Sequence, residues 1–523
     1  MMVQKLIGAL ALAALGSVST IAMTQAQESL VVDTVFQLKT ADPARAFEPT
    51  ASLFLHAVYQ TLVTFEEGDA TTIVPGLAEL PTANEDATVF TFKLREGATF
   101  SDGSPVTRDD VLFSLNRAKN VKGSAAFMLA EISFSAGEAD DEIVATSTFS
   151  DPGLPARLTY PAFAILNADV MKENGGLDTE EASQSDTADA FLAGTSLGSG
   201  PYILTKFDIA SEVVLERNDN YWGEAPAFEQ IVIRNVANTA QQMNIMRGVS
   251  HIAIDLRPDQ VGSLGDDAAV ISQPGSDMGF VFLNANPEVS ETTSNPDFVE
   301  AVRYAIDFDG IMNIVGEGAG RPGGIVPSIL LGTVPGEEAP VRDLDRAREA
   351  LARSGIENPT VEMAYASDIA KHGISFGDLG AKIQADLAEI GVTVNLVPQP
   401  VATNLDGYRA GSLEMSVQWW GPAFPDPSYY LAFNPGKLVG LRVGWAEGSN
   451  EVIEEIAARA ALALDPAERD AIYKEWQMAL NETGPYIPLF QPPTTLVSSA
   501  AVENVSYHPT WTVDLAAVRP AAD

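Results

Sequence analysis

The 523-residue chain contains no cysteine, and this is the feature that most limits how it can fold. No disulfide can cross-link the chain, and no thiolate can act as a nucleophile or hold zinc or an iron–sulfur cluster. Its stability must therefore come mainly from packing, and 46% of its residues are hydrophobic. A chain of this length is expected to divide its core between more than one lobe.

The first 26 residues predict a secretory signal peptide. Lys5 precedes an apolar stretch at residues 6–15, and small residues then lead to Thr24-Gln25-Ala26, which suits a small-x-small cleavage rule. No later run of about 18 or more apolar residues follows. We therefore expect cleavage after Ala26 and a mature chain that is soluble in the periplasm. Because the chain contains no cysteine, no lipid anchor can be attached through a cysteine side chain.

The charge of the chain excludes one large class of partner. Thirty-one basic and 71 acidic side chains give a formal net charge of −40. Binding to nucleic acid needs clustered cations, so we expect no nucleic-acid partner. The four histidines lie far apart in the sequence and predict neither a metal site nor a cofactor. They are His56, His251, His372 and His508.

The order of hydrophobic patterns predicts an α/β fold. Residues 90–95 alternate apolar and polar side chains like a half-buried strand, and turn residues follow at 97–105. Thr107 is a good N-cap, with Asp109 and Asp110 in the first turn of the helix that follows. Strand and helix patterns then alternate to the end of the chain without a regular repeat, so we expect helices packed on sheets.

Several short sequence motifs are spread along the chain. They are ADP at 41–43, VYQTLV at 58–63, FKLREG at 92–97, FSDGSPVT at 100–107, GSGPY at 198–202, RNDNYW at 217–222, FVEAVRYAID at 298–307, and IQADL at 383–387 with IGV at 390–392. In this order they resemble the family-5 extracellular solute-binding proteins, which include dipeptide-, oligopeptide- and nickel-binding receptors of ABC importers.

The resemblance implies a two-lobed periplasmic-binding-protein fold with mixed sheets, a hinged ligand cleft and an extra subdomain in the first lobe. Lobe I would comprise residues 27–272 and 488–523, with the subdomain inserted at about 75–190, and lobe II would comprise 277–487. Segments 273–276 and 487–491 would be the hinges. The implied function is capture of a small solute by a monomer that is not an enzyme. Its partners would be that solute, the permease of the inner membrane and its ATPase.

The segment QWWGPAFPDPSYY at 418–430 resembles the part of lobe II that borders the ligand. Trp420 matches a family tryptophan, and in peptide-binding members an aspartate three residues later pairs with the peptide amino group. Ala423 occupies that position here, while Asp426 matches an Asp-Pro element that shapes the loop. In dipeptide binders an arginine holds the peptide carboxylate, and its position falls on Ala370.

Both charged anchors of a free dipeptide are thus absent at the matched positions. Lys371 is a possible carboxylate partner next to Ala370, and we also assign His372 to the ligand site. Aromatic side chains of the 418–430 segment offer faces for stacking on an apolar group or a sugar ring. They are Trp419, Trp420, Phe424, Tyr429 and Tyr430. A peptide or peptide-like solute is the main hypothesis, and an oligosaccharide or sugar derivative is the alternative. Opines and metal chelates remain open.

Two other classes of protein have some support in the sequence. Residues 194–198 fit the G-x-S-x-G pattern of hydrolases, with Ser196 as the nucleophile. The hydrolase elbow needs a helix directly after it, but the following Gly-Ser-Gly-Pro opposes a helix. A signalling receptor of the same fold is the second alternative. We expect no catalytic residue.

Overall fold

The structure, a computed structural model, describes residues 29–265 and 268–522. The predicted signal peptide at 1–26 lies outside the described residues. The strands are β1 Ser29–Thr34, β2 Val63–Phe65, β3 Ile73–Pro75, β4 Thr82–Ala83, β5 Val89–Lys93, β6 Ile132–Ala136, β7 Glu142–Ser147, β8 Tyr202–Asp208, β9 Glu212–Arg217, β10 Gln230–Asn235, β11 Ile252–Ala253, β12 Ala268–Pro274, β13 Met278–Leu283, β14 Thr360–Ala366, β15 Ala370–Lys371, β16 Ile374–Ser375, β17 Thr393–Gln399, β18 Met415–Trp420, β19 Tyr486–Phe490, β20 Pro493–Ser499, β21 Val502–Glu503 and β22 Arg519–Pro520.

Helices alternate with these strands, as the sequence predicts. They are α1 Pro49–Val58, α2 Arg108–Asn120, α3 Leu154–Arg157, α4 Ala168–Glu173, α5 Ala182–Ser185, α6 Asp189–Leu192, α7 Asn238–Met246, α8 Pro258–Val261, α9 Pro296–Ala305, α10 Phe308–Val315, α11 Leu344–Ser354, α12 Phe376–Ala388, α13 Val401–Arg409, α14 Leu438–Arg442, α15 Glu451–Ala460 and α16 Pro466–Thr483. Within the described ranges, no helix is long and apolar enough to cross a membrane.

The first lobe is built on a seven-stranded sheet in the order β12-β20-β11-β1-β10-β9-β8. Its central strand β1 runs parallel to β10 and β11, so its alternate side chains Leu30 and Val32 are fully buried in the core beneath α1. Strand β20 comes from the tail of the chain and pairs with β12. The tail therefore returns to the first lobe, as the family resemblance implies.

A separate four-stranded sheet, β4-β5-β7-β6, belongs to the same lobe. Helix α2 packs on it, and its start is the predicted one. The Thr107 side chain accepts a hydrogen bond from the Asp110 backbone N–H, and the Asp110 carboxylate accepts one from the Thr107 backbone. Such a capping box satisfies amide groups that the first turn of a helix leaves unpaired. The predicted N-cap is confirmed.

The second lobe is built on a five-stranded sheet in the order β17-β14-β18-β13-β19. Helices cover both faces, so strand β13 is buried on both sides. Phe280 and Phe282 face one core with α15 and α16, while Val281 and Leu283 face the other with α9 to α12. A strand buried on two faces reads as a continuous apolar run, which is the pattern of residues 278–283. The two-lobed α/β fold is confirmed.

The chain crosses between the two lobes twice, and the crossings lie side by side. One runs through residues 275–277, between β12 and β13, and the other through residues 491–492, between β19 and β20. The Gly275 N–H donates to the Pro492 carbonyl at 2.8 Å, and the Gln491 side-chain amide donates to the Gly275 carbonyl at 2.9 Å. Of the predicted hinge segments, 273–274 lie within β12 and 487–490 within β19.

Candidate functional site

A cavity of about 360 Å³ opens beside the crossings, and residues of both lobes form its wall. The first lobe contributes Asn238, residues 254–257, residues 493–496, Tyr507 and Thr512. The second lobe contributes His372 and Gly373. A cavity walled by both lobes is the place where a ligand can hold them together, so it is the candidate site.

A short hairpin carries the contribution of the second lobe. Strands β15 and β16 pair antiparallel, and His372 and Gly373 form the tip between them. Both tip residues have positive φ, 52° at His372 and 80° at Gly373. A two-residue turn with positive φ at both positions matches the twist of a hairpin, although a residue other than glycine adopts it at some cost. The turn brings His372 and Gly373 to the wall of the cavity, and Lys371 is the residue next to them.

The predicted site residues Lys371 and His372 share one partner, Asp277, which lies in the first crossing. Lys371 Nζ is 2.9 Å from Asp277 Oδ2, and His372 Nε2 is 2.8 Å from the same oxygen. Burial alone would raise the pKa of Asp277, but the hydrogen bond with His372 and the ammonium of Lys371 lower it to about 2. Asp277 is therefore a carboxylate at any physiological pH, even though only 19% of its side chain is exposed.

The strand register places Asp277 next to the 418–430 segment. Met278 of β13 pairs with Trp420 of β18, so Asp277 and Gly421 are the next residues of the two strands. A Cβ atom on Gly421 would lie 2.1 Å from Asp277 Oδ1. Glycine at 421 is what lets the carboxylate occupy this place. Asp277 was not predicted from the sequence. Its only signal in the sequence is a single charged residue before a strand of apolar residues.

The two tryptophans of β18 lie on opposite faces of the sheet, as adjacent strand residues must. Trp419 stacks on Phe376 with a centroid distance of 5.0 Å, and Lys371 Nζ lies 5.8 Å above the Trp419 ring. Trp420 packs on the other face against Tyr429, at 5.6 Å. The tryptophans therefore do not form one stacking platform, and Trp419 is the one whose ring Lys371 approaches.

The rest of the predicted site residues lie where the second lobe contacts the first. Ala423 and Tyr429 are partly buried against the core of the four-stranded sheet, and Phe424 is fully buried in it. The guanidinium of Arg157, from α3, lies 4.9 Å from the centroid of the Phe424 ring. The structure thus separates this group from His372, which lines the cavity, and from Lys371, which lies next to His372 and close to the Trp419 ring.

Asp426 is buried and held by its own lobe. Its Oδ1 accepts hydrogen bonds from Arg469 Nη2 at 2.7 Å and from the Ser428 backbone N–H at 2.9 Å. As the N-cap of the 3-10 helix Pro427–Phe433 it fixes the course of the loop. The geometry of Asp426 therefore matches the loop-shaping role that the family resemblance implies.

The geometry opposes a hydrolase at Ser196. Its side chain is buried, and Oγ accepts a hydrogen bond from the Leu204 backbone N–H at 3.1 Å, so the hydroxyl helps to hold a strand. No group of three or more His, Cys, Asp or Glu side chains with a metal-binding arrangement occurs in the part of the chain that the structure describes.

Comparison with known proteins identifies the class. Residues 72–437 match the bacterial extracellular solute-binding proteins, family 5. The chain is 27% identical over 516 residues to di/tripeptide-binding protein 2 of Pseudomonas aeruginosa, with 93% of each chain covered. It is 24% identical over 497 residues to the probable D,D-dipeptide-binding periplasmic protein DdpA of Escherichia coli, with 92% of each chain covered.

A solved structure supports the fold. The structure of HbpA2 from Haemophilus parasuis superposes with a TM-score of 0.83 at 20% identity, covering 94% of this chain and 100% of that one. Because the family match covers more than half of the sequence, the chain belongs to the family-5 extracellular solute-binding proteins. It is a solute-binding protein and not an enzyme, and the predicted family is confirmed.

Proposed function

We propose that this protein is the periplasmic receptor of an ABC importer and that its cargo is a peptide or a peptide-like solute. The observation that carries the proposal is the 360 Å³ cavity whose wall is shared by the two lobes. Two relatives that match over nine-tenths of the chain are named as binders of di- and tripeptides or of D,D-dipeptides. The receptor would act as a monomer and pass its cargo to a permease driven by an ATPase.

The mechanism follows from where the cavity lies. A ligand that touches the 254–257 and 493–496 segments on one side and the β15–β16 hairpin on the other gains all its contacts only when the lobes are closed. Such a ligand shifts the population towards the closed form, and a preference of about 5.5 kcal/mol takes a 1:99 mixture to 99:1. The permease can then recognise the closed form as the loaded one.

We also propose that the hinges are the two crossings, residues 275–277 and 491–492. Both are short, both connect strands of different sheets, and hydrogen bonds between them make them move as a pair. The lobe boundaries would then fall at these segments, a few residues from the boundaries that the sequence predicts.

Peptide-like cargo fits the site better than a sugar does. A saccharide is usually held by aromatic faces, but Trp419 and Trp420 point to opposite faces of β18, and Phe424 is buried in the contact between the lobes. The wall of the cavity itself contains Asp255, Arg257 and His372, which are charged or ionisable side chains that suit a charged solute.

A thermal-shift screen of the chain without residues 1–26 tests this proposal. Peptides of two to five residues, γ-linked peptides, opines, oligosaccharides and metal chelates are each added at millimolar concentration. A ligand at a hundred times its Kd stabilises the folded form by about 2.7 kcal/mol. We expect shifts with peptide-like solutes, accompanied by a smaller radius of gyration in solution scattering. Shifts with oligosaccharides or chelates alone would refute the assignment.

A further inference from the structure

The cavity between the lobes has a single acidic side chain among the wall residues that the structure describes. It is Asp255 of the first lobe, which follows β11 and is half-buried. The second lobe contributes His372 and Gly373 to the wall, and neither is acidic. A cationic group of a ligand enclosed in this cavity would therefore find its counterion in the wall at Asp255.

The carboxylate of Asp255 is held through one of its two oxygens. Oδ2 accepts hydrogen bonds from Thr34 Oγ1 at 2.8 Å and from the Val35 backbone N–H at 2.7 Å. The side-chain amide of Gln241 donates to the same oxygen at 3.4 Å. In the part of the chain that the structure describes, Oδ1 accepts no hydrogen bond, and no basic side chain forms an ion pair with this carboxylate. Since both oxygens of a carboxylate are acceptors, Oδ1 is available to a donor of the ligand.

The contacts that support Asp255 all belong to the first lobe. Helix α7 provides two of them: Asn238 Nδ2 donates to the Asp255 carbonyl at 2.6 Å, and the Asp255 backbone N–H donates to Gln241 Oε1 at 3.2 Å. Gln241 is itself fully buried. Because these contacts do not cross to the second lobe, opening of the lobes leaves the carboxylate in place. The carboxylate is therefore preorganised, which reduces the cost of ordering it when a ligand binds.

Electrostatics favours a cation as the group that binds Oδ1. Closure of the lobes removes water from the carboxylate, and enclosing a charge without a counterion is costly. An ammonium or guanidinium group supplies that counterion together with charge-assisted hydrogen bonds, which are stronger than bonds between neutral groups. A hydroxyl or amide donor would leave the negative charge uncompensated. The site thus favours a cationic nitrogen over a neutral donor.

We propose that Asp255 is a specificity-determining residue that binds a cationic nitrogen group of the cargo, an ammonium or a guanidinium, from the first lobe. The assignment rests on the proposed function, because it names one chemical group of the peptide-like cargo. The family resemblance places the partner of a peptide ammonium at the position of Ala423, in the second lobe, so this chain holds the cation from the other lobe. A free dipeptide still lacks a partner for its carboxylate, since the position of that anchor holds Ala370.

Three synthetic tripeptide libraries test the requirement for a cation. The first has free amino termini and no basic residue, the second is N-acetylated and has no basic residue, and the third is N-acetylated with one lysine in each peptide. Each library is incubated with the chain without residues 1–26, and the retained peptides are quantified by mass spectrometry. We expect the first or the third library to be retained at least tenfold more than the second. Retention of the first assigns the cation to the amino terminus, and retention of the third assigns it to a side chain.

The variant Asp255→Asn shows whether the preference comes from this carboxylate. It keeps the shape of the side chain and removes its charge, so retention of the cationic library should fall about tenfold or more, as expected for hydrogen bonds to a charged group. Asp140→Asn is the matched control, because it removes the same charge from a fully exposed position between β6 and β7 of the first lobe. The control should retain the library as the unmodified chain does. Urea denaturation checks that both variants fold, and the comparison of libraries needs no variant.

The outcomes separate this inference from the proposed function. If the acetylated library without basic residues is retained as well as the cationic ones, or if folded Asp255→Asn keeps the preference, the cation site is refuted while the peptide receptor stands. If the thermal-shift screen finds a different peptide-like cargo, a Kd that is unchanged in Asp255→Asn refutes the inference and a tenfold higher Kd supports it. If neither experiment finds a peptide-like cargo, the proposed function itself fails.

Discussion

Closure of the lobes can be tested by adding one methyl group at the contact between α3 and the 418–430 segment. Gly153 immediately precedes α3 in the first lobe. A Cβ atom there would lie 2.3 Å from Ser428 Oγ and 2.9 Å from Asp426 Oδ1, both in the second lobe. Gly153 has φ −82° and ψ −2°, values that alanine adopts without strain. Gly153→Ala therefore acts on the contact between the lobes and leaves the backbone conformation permitted.

The expected loss of ligand affinity depends on how far the side chains at this contact can move away from the new methyl group. Ser428 Oγ can rotate away, but Asp426 is held by Arg469 at 2.7 Å. Overpacking of this kind costs about 1–3 kcal/mol. If the contact forms only on closure, that free energy is taken from ligand binding, and Kd should rise about 5- to 150-fold. The free energy of the open form should change little.

A double-mutant cycle provides the assay. Ligand Kd is measured by calorimetry for the unmodified protein, Gly153→Ala, Ser428→Ala and the double variant. Ser428→Ala removes the atom nearest the new methyl group, so the double variant should recover part of the affinity. Gly194→Ala is the control, since a Cβ there meets no atom closer than 4.0 Å. Unchanged affinity in Gly153→Ala, or purely additive effects in the double variant, would refute a closure contact between α3 and this loop.

Three further predictions concern stability and cargo. Arg117→Met should lower the free energy of unfolding in urea by about 3–5 kcal/mol, because Arg117 is fully buried between Asp42 at 2.6 Å and Asp186 at 2.8 Å, and the variant leaves both carboxylates without it. Burial raises the pKa of Asp151 to about 6, against about 3.9 in an unfolded chain. The folded state then binds more protons between these values, so this group's contribution to stability should fall as the pH rises from about 4 to about 6, and urea titrations of Asp151→Asn should lack that component. Ordinary α-linked dipeptides should give only small shifts in melting temperature, since the family resemblance places both charged anchors of a dipeptide at positions that hold Ala423 and Ala370 here, and a large shift with several of them would contradict this.

Local features of the fold could be predicted from the sequence because their causes are local. The capping box of α2 lies within four residues, Thr107 to Asp110, and the apolar run of β13 already indicates a strand buried on two faces. The return of the tail to the first lobe could not be derived in this way. It depends on the pairing of β20 with β12, whose residues lie more than 200 positions apart, and it came from the family resemblance.

The same distinction between local and long-range causes applies to the candidate site. The sequence predicts Lys371 and His372 as site residues because they lie next to the position of a family arginine. The structure brings both to one carboxylate, that of Asp277. That carboxylate is 94 residues from Lys371 in the sequence and next to Gly421 only through the β13–β18 register, so no local pattern could indicate it. The position of the aromatic residues also depends on strand geometry, and their role at the site stays a prediction. Adjacent letters in the sequence suggested one cluster, but strand geometry sends Trp419 and Trp420 into different cores.

The location of Asp277 connects the β15–β16 hairpin at the cavity to the first crossing between the lobes. Asp277 lies two residues from Gly275, whose N–H and carbonyl are both bonded to the second crossing. A ligand that contacts His372 at the cavity would therefore act, through Asp277, on a segment that we propose as a hinge. The proposed cargo site and the proposed hinge would thus be connected by two contacts, His372 with Asp277 and Gly275 with the second crossing.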